Sequence, residues 1–312
     1  MSKRTDGIHH ITAIVGDPQE NVNFYAKVLG LRLVKKTVNF DDPGTYHFYF
    51  GDKYGNPGTI ITFFPWEHAP QGVIGDGQVG ITTYAVPKGA LAFWEKRLTA
   101  FNIQTKRETR FQETFLQFAD PHGLQIELVE RETGEKNKWT FQDIHADVAI
   151  KGFGGAVLYS REPEQTAKVL QDVLGLEKIV EGEDYVRFQA VGDIGNVIDL
   201  KSTRFGRGQM GIGTVHHIAW RAKDDVDQLD WQTFVHHKGY QVTPVQDRNY
   251  FNAIYFREHG DLLFEIATDP PGFLHDEAEQ SLGEKLMLPN QYERFREQLE
   301  KQLKPIVLPK NE

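Results

Sequence analysis

The sequence predicts an α+β fold: four βαβββ modules paired into two cupped mixed-sheet barrels, followed by a C-terminal helical tail. Three observations predict it. One order of signals (strand, helix, strand, strand, strand) recurs four times between residues 7 and 268. Local segments also echo one another: Phe24-Tyr25-Ala26-Lys27-Val28-Leu29-Gly30-Leu31 parallels Leu170-Gln171-Asp172-Val173-Leu174-Gly175-Leu176, and Asp120-Pro121-His122-Gly123-Leu124-Gln125-Ile126-Glu127-Leu128 parallels Glu258-His259-Gly260-Asp261-Leu262-Leu263-Phe264-Glu265-Ile266. Finally, histidine pairs stand at the same place in the first and last copies, Gly7-Ile8-His9-His10-Ile11 and Thr214-Val215-His216-His217-Ile218.

The first module opens with a strand over 8–15. Asp17-Pro18 then supplies an N-cap and a first-turn proline, and Val22, Phe24, Tyr25, Val28 and Leu29 follow at helical spacing. Gly30 stops the helix, and three strands are expected over 31–38, 45–51 and 59–64. The second module starts at Val79-Gly80-Ile81-Thr82, has a helix over 90–100 and ends in a strand over 124–129. In the third, a strand around Gly155-Ala156-Val157 leads to a helix opened by Glu162-Pro163 and closed by Gly175, and the last strand covers 197–200. The fourth begins at Val215, carries a helix over 224–237 stopped by Gly239, and ends with a strand over 262–267. Residues 7–131 are therefore expected to form one two-module domain and 152–268 a second. Residues 132–151, charged and polar around Gly134-Glu135-Lys136-Asn137-Lys138, are the expected linker. The extension, 269–312, starts with a Pro270-Pro271-Gly272 loop and is expected to place a charged helix over 291–302 on the outside.

A chain of 312 residues suits two domains with a substantial core. Its 35 basic and 44 acidic residues give a formal charge of −9, which opposes nonspecific binding to nucleic acid or anionic lipid. No apolar run approaches membrane-spanning length, and the start, Met1-Ser2-Lys3-Arg4-Thr5-Asp6, lacks a signal-peptide apolar region, so a soluble cytoplasmic protein is expected. The absence of cysteine excludes disulfides, zinc–thiolate sites and cysteine nucleophiles. A homo-oligomer is left open.

Strand alternation selects a site. His9, Ile11, Ala13 and Val15 form the more apolar face of the first strand and should cover the helix, leaving His10, Thr12 and Ile14 opposite. By the same rule His217, Ala219 and Arg221 lie opposite His216, Ile218, Trp220 and Ala222, and Leu263, Glu265 and Ala267 lie opposite Leu262, Phe264 and Ile266. Parity thus places His10, His217 and Glu265 in one cavity. Modules two and three offer Glu127 and Asp199 at the matching acid position but no histidine, so modules one and four should share the metal barrel and leave the other without metal. His236 and His237 sit at a helix C-terminus, while His47, His68, His122, His145, His259 and His275 read as surface or turn residues and Glu127 as a solvated or hydrogen-bonded acid. Two imidazoles and one carboxylate leave open positions on a metal. That set suits non-haem iron(II) oxygen chemistry, and manganese or nickel as well, whereas zinc would activate water or polarise a carbonyl there.

The repeated module resembles that of the vicinal oxygen chelate superfamily. Within it, Gly7-Ile8-His9-His10-Ile11-Thr12, Val215-His216-His217-Ile218-Ala219, Asp247-Arg248-Asn249-Tyr250-Phe251 and Leu263-Phe264-Glu265-Ile266 resemble segments of the ring-cleaving dioxygenases that open hydroquinones. The resemblance implies Fe(2+) held by His10, His217 and Glu265, with His9, Thr12, His216, Arg248 and Tyr255 around the substrate. It implies a small aromatic diol, hydroquinone or catechol, and O2 as reactants, with both oxygen atoms inserted as the ring opens, and a detoxifying role against quinone-derived phenols. The residues bear on these roles in their own right. Thr12 shares a face with His10, and alternation of Ala253, Tyr255 and Arg257 turns Tyr255 inward with Glu265, where its hydroxyl would orient a phenolic oxygen or relay its proton. Arg248, in a polar stretch, would stabilise developing negative charge. Strict alternation points His9 and His216 away from the metal, to orient the ligands from behind, unless a bulge brings them in. Two other enzymatic readings stand beside this one. A glyoxalase-type lyase commonly takes a fourth ligand, an acid from the partner module's last strand, but Thr59-Ile60-Ile61-Thr62-Phe63-Phe64 has none. A thiol transferase needs three ligands only. A non-enzymatic sequestering module is a third reading.

Overall fold

The computed structural model describes residues 3–311, and every module keeps the expected order. The first contains β1 (Ile8–Val15), α1 (Pro18–Val22), β2 (Arg32–Val38), β3 (Tyr46–Gly51) and β4 (Ile60–Pro65). The second contains β5 (Gln78–Val86), α2 (Leu91–Ala100), β6 (Lys106–Arg110), β7 (Glu113–Ala119) and β8 (Gln125–Glu130). The third runs through β9 (Gly152–Tyr159), α3 (Pro163–Lys168), β10 (Glu177–Glu181), β11 (Tyr185–Gln189) and β12 (Val197–Lys201). The fourth runs through β13 (Thr214–Ala222), α4 (Asp225–His237), β14 (Gln246–Asp247), β15 (Asn252–Arg257) and β16 (Leu263–Thr268), and α5 (Arg296–Gln302) lies in the extension.

Two eight-stranded mixed sheets result. One has the order β14-β15-β16-β13-β1-β4-β3-β2 and joins modules four and one; the other, β10-β11-β12-β9-β5-β8-β7-β6, joins modules three and two. Each sheet is closed at its centre by an antiparallel pair of first strands, β1 with β13 and β5 with β9. Each first strand also runs parallel to the last strand of its own module.

The first helix starts as its sequence dictates. The Asp17 carboxylate accepts from the Gln19 and Glu20 amides at 2.8 and 2.9 Å, and Pro18 fills the first turn, where no amide is needed. It then widens into a π-helical turn over Asn23–Val28, a departure from the regular helix that the spacing suggests, before Gly30 turns the chain at φ +66°. The third module repeats the device, with a π-helical turn over Val169–Val173 ahead of Gly175 at φ +73°.

The alternating faces of the sheet that joins modules four and one divide its apolar residues. Ile218, Trp220 and Ala222 of β13 belong to the large core under the helices, where Trp220 meets Phe264 edge to face at 5.4 Å. Val34, Tyr49, Ala219, Tyr250, Phe251 and Ala253 form a smaller cluster on the other face. Phe273 and Leu282 of the extension join that second cluster, so the tail does more than lay a helix on the outside. Lys35 of β2, fully buried, places its Nζ 2.5 Å from both Asp276 Oδ1 and Glu277 Oε2 and 4.8 Å over the Tyr250 ring. A buried ammonium requires such partners, and through them the segment after β16 is pinned to the inner face of the sheet. Among the described residues no helix is long and apolar enough to cross a membrane.

Candidate metal centre

The centre forms where β1 crosses β13. Across this antiparallel pair His10 stands opposite Ala219 and Thr12 opposite His217, so the two histidines are related by a local twofold. Glu265 is brought in by β16, which pairs in parallel with β13 at Ala219. His10 Nε2 lies 3.4 Å from His217 Nε2 and 3.4 Å from Glu265 Oε2, and His217 Nε2 lies 2.9 Å from the same carboxylate oxygen. All three side chains are buried, Glu265 completely. Burial pushes the Glu265 carboxyl up, but the two imidazoles beside it hold it well below the usual carboxylate range.

The tautomers follow from the neighbours. β1 and β13 each carry a bulge in their shared ladder: His9 is the extra residue on one side, between Ile8 and His10, and His216 on the other, where Thr12 and Ala13 meet His217 and Val215. Strict alternation therefore fails at these two residues, and both turn back towards the ligands. His9 Nδ1 is 2.9 Å from His10 Nδ1, and His216 Nδ1 is 2.7 Å from His217 Nδ1. His9 Nε2 also lies 3.1 Å from the Thr268 carbonyl, which can only accept, so His9 carries its proton on Nε2 and accepts at Nδ1. His10 must then donate from Nδ1, leaving its Nε2 lone pair bare. Burial, with His10 next to it, holds His9 well below the ordinary histidine range, and burial with His217 takes His216 down to about 3, so both are neutral.

His10 Nε2 thus presents a lone pair to Glu265, and His217 Nε2 faces the same carboxylate oxygen, so the three groups can share one ion. Neither Glu265 oxygen receives a hydrogen bond. A buried carboxylate with no hydrogen-bond donor beside two imidazole nitrogens is an arrangement that could hold a cation. The spacings of 2.9–3.4 Å suit a metal about 2.1 Å from each atom, with its other face left open.

That face opens on a cavity of about 380 Å³ lined by Thr12, Phe64, Trp66, Phe251, Leu263 and most of the other residues singled out above. Tyr255, opposite Glu265 across β15 and β16, is held protonated because burial, with Glu265 adding to it, drives its phenol well above the ordinary range against the opposing pull of Arg248. The Arg248 guanidinium lies 5.8 Å from the Tyr255 ring centre, with Nη2 2.6 Å from Gln246 Oε1 and 3.2 Å from Asp41 Oδ2. Phe251 packs against the rings of both His9 and His10, whereas His9 itself is absent from the cavity wall.

One expectation needs correction. His47 is a cavity residue and not a surface one: its Nε2 lies 2.8 Å from Thr62 Oγ1 and its Nδ1 3.0 Å from the Tyr49 hydroxyl. The sequence held the signal, since Tyr46, Phe48 and Phe50 are an unbroken core face that leaves His47 and Tyr49 together on the other. His122 lies in a turn, as one of its two readings has it, and is buried there, with Nδ1 3.3 Å from the Gly16 amide. Of the two readings given to Glu127 the hydrogen-bonded one holds: the side chain is fully buried and accepts from Thr83 and Gln117 at 2.7 and 3.0 Å and from Arg110. Arg110 reaches Asp199 as well, and Arg187 chelates that carboxylate from the other side at 2.7 and 2.8 Å.

The chain is similar to several known proteins. The chain is 68% identical over 305 residues to a Bacillus subtilis (strain 168) protein provisionally named ring-cleaving dioxygenase MhqO, covering 98% of each chain. It is 32% identical to the chlorohydroquinone/hydroquinone 1,2-dioxygenase of Sphingobium indicum, covering 99% of each. A crystal structure of a Bacillus subtilis protein provisionally described as a dioxygenase superposes with a TM-score of 0.98 at 66% identity, over 99% of this chain and all of that one. Glyoxalase I from Zea mays, 14% identical, shares the fold with a TM-score of 0.63 over 84% of this chain and 92% of its own. The family model of the Glyoxalase/Bleomycin resistance protein/Dioxygenase superfamily matches residues 7–128 and 152–275. The chain belongs to that superfamily.

Proposed function

We propose that this protein is an iron(II)-dependent, extradiol-type dioxygenase that cleaves the aromatic ring of a hydroquinone or catechol with O2. The observation that carries the reading is the local twofold at the metal centre. It relates His10 to His217 and Thr12 to Ala219, and so relates Thr62, the parallel neighbour of Thr12, to Glu265. The place where a fourth protein ligand would stand holds a threonine. A three-ligand centre keeps one whole face for reactants, which favours ring cleavage over the four-ligand lyase chemistry. The names of the relatives support the same class.

His10, His217 and Glu265 would hold the metal. When bound, iron(II) supplies a centre on which a diol oxygen and O2 meet and exchange electrons. The chain's own groups do the rest. Tyr255, kept protonated, donates to a substrate oxygen, and Arg248 balances the negative charge that deprotonation of the diol leaves in the cavity. With a metal on His217 Nε2, His217 would donate from Nδ1 to His216 Nδ1, which leaves the His216 proton on Nε2 as a further donor at the cavity; His9, whose Nε2 is taken by Thr268, only orients His10. Phe64, Trp66 and Phe251 hold the ring and exclude water. A cytoplasmic setting and the disposal of hydroquinones accord with this reading.

The test is anaerobic loading with ferrous iron, followed by oxygen uptake with methylhydroquinone and with catechol, and separately by turnover of methylglyoxal plus thiol. Ring-opened product with an aromatic diol is expected. Turnover of the thiol adduct with no uptake on either aromatic would overturn the proposal in favour of the lyase. His217→Ala should lose iron while keeping its fold, whereas His236→Ala should retain both.

A further inference from the structure

Among the described residues that line the cavity, the side chains of fixed charge are Asp41, Arg248 and Glu265, and Glu265 belongs to the ligand set. That leaves one cation and one anion for a reactant to meet. Arg248 and Asp41 pair with each other, Nη2 to Oδ2 at 3.2 Å, one from module four and one from module one. The pair is lopsided. The Arg248 side chain is 17% exposed and that of Asp41 75%, so the cation sits inside and the carboxylate at the mouth.

A tied loop puts Asp41 there. Between β2 and β3 the Asn39 amide donates to the Thr45 carbonyl at 2.8 Å, and the Thr45 amide donates to the Asp42 carbonyl at 3.0 Å. Asn39 Oδ1 accepts from the Asp41 amide at 2.9 Å, and the Tyr292 hydroxyl of the extension donates to the Phe40 carbonyl at 2.8 Å. These bonds fix the loop, and with it the carboxylate that faces Arg248. The same wall offers Phe40, Phe64, Trp66 and Leu263, all half-buried, and among the described residues no lysine and no second arginine.

We infer that Asp41 is a specificity-determining residue: paired with Arg248 at the mouth, it favours diols whose ring substituents are uncharged over diols that carry a carboxylate. The inference rests on the reading of the cavity as a diol site. Two effects act together. Arg248 is the cation that a substituent carboxylate would need, and its Nη2 is already taken by Asp41 and by Gln246 Oε1, at 3.2 and 2.6 Å. A carboxylate arriving at the mouth also meets Asp41 as a like charge, and it gives up water to face aromatic rings. The diol's own oxygens escape this penalty, because the end of the pair turned inward is the positive one. A small apolar substituent loses nothing at the mouth and gains contact with Phe40, Trp66 or Leu263.

The probes are 2,5-dihydroxyphenylacetate and its methyl ester, which differ by one charge, titrated calorimetrically into the ferrous-loaded protein without oxygen. The unaltered protein should bind the ester more tightly than the acid, and the gap should narrow in high salt. In Asp41→Asn the acid-to-ester ratio of dissociation constants should fall about three- to fivefold, the size of effect a solvent-screened charge at a rim exerts. Asp41→Glu, which keeps the charge, should keep the ratio. A ratio unchanged in Asp41→Asn would overturn the inference whatever happens to melting, since a merely structural loop residue moves melting and not the ratio. An unaltered protein that prefers the acid would overturn it too. The proposed function fails separately. A protein that shows the preference, loses it in Asp41→Asn and yet opens no diol ring would keep the charge filter and lose the dioxygenase. Binding of neither probe would overturn both.

Discussion

His9→Phe tests the logic of the metal centre most directly. His9 touches neither the cavity nor the metal, yet it decides which nitrogen of His10 carries the proton. With Nε2 committed to the Thr268 carbonyl at 3.1 Å, it accepts from His10 Nδ1 at 2.9 Å. Phenylalanine fills the volume between His10 and Phe251 but removes the acceptor. His10 then has two poor choices. It can keep the ligating tautomer and bury an unpaired N–H, at about 1–3 kcal/mol, or move the proton to Nε2 and lose its lone pair for the metal. Either loss falls on the metal-bound state, so affinity should drop about 10- to 100-fold, roughly 1.4–2.7 kcal/mol. His9→Gln, whose amide oxygen can accept, should lose less. Anaerobic competition with a chromogenic ferrous chelator measures the constants. His216→Phe should weaken metal binding by a similar factor through the matching 2.7 Å contact and also raise KM, because it removes a donor from the cavity wall. If His9→Phe binds ferrous iron as tightly as the unaltered protein, the tautomer argument is wrong.

Two further outcomes follow from other buried charges. Lys35→Met leaves Asp276 and Glu277 facing each other without their cation, and breaking a buried pair in this way costs about 3–5 kcal/mol. Calorimetry should show melting lowered by roughly 6–20 °C, and the triple variant Lys35→Met with Asp276→Asn and Glu277→Gln should recover much of the loss; a Lys35→Met protein as stable as the unaltered one would contradict the role given to the tail. The pH dependence concerns His9, His47, His216 and His217, whose folded pKa values all lie below that of an unfolded histidine because of burial, His216 at about 3. Below about pH 6.5 the unfolded chain takes up protons that the folded chain refuses, so stability is lost as pH falls, by at most ~1.4 kcal/mol per pH unit for each histidine. Urea midpoints of the metal-free protein should therefore drop between pH 7.5 and 5.5, and a midpoint that rises instead would reverse the sign.

The fold was legible because each module repeats its own punctuation: an Asp-Pro or Glu-Pro at a helix start, a glycine at its end, and period-two strands. Pairing was legible too, from which modules carry histidine, and the two sheets join modules one with four and two with three. Parity brought His10, His217 and Glu265 to one point. It failed at His9 and His216, where bulges in β1 and β13 insert a residue, and period-two reasoning cannot see an insertion. His47 differs: alternation with Tyr46, Phe48 and Phe50 puts it on the inner face of its strand, but nothing local says that this face lines the cavity. The extension was legible as a loop and a helix, but not as a segment packed into the inner-face cluster of the sheet. What holds it there is one lysine in β2 meeting two acids far along the chain, and no local pattern encodes that.

The two sheets show one scaffold solving one electrostatic problem in two ways. Glu127 and Asp199 stand where Glu265 stands, each beside the first strand of its module, at Thr83 and Val157. In the metal-side sheet one such acid survives and is left without a hydrogen-bond donor. In the other sheet both acids survive, and both are bonded to arginine, Arg110 bridging the two and Arg187 chelating Asp199. A buried carboxylate must meet positive charge or donors somewhere. Where the chain supplies the cation itself, the site is closed by its own side chains. Where it supplies two bare imidazoles, the cation must come from outside, and the face it brings with it is the one that opens on Tyr255, Arg248 and Thr12. On this argument the lack of any donor to Glu265, more than the presence of histidines, separates the reactive sheet from its structural twin.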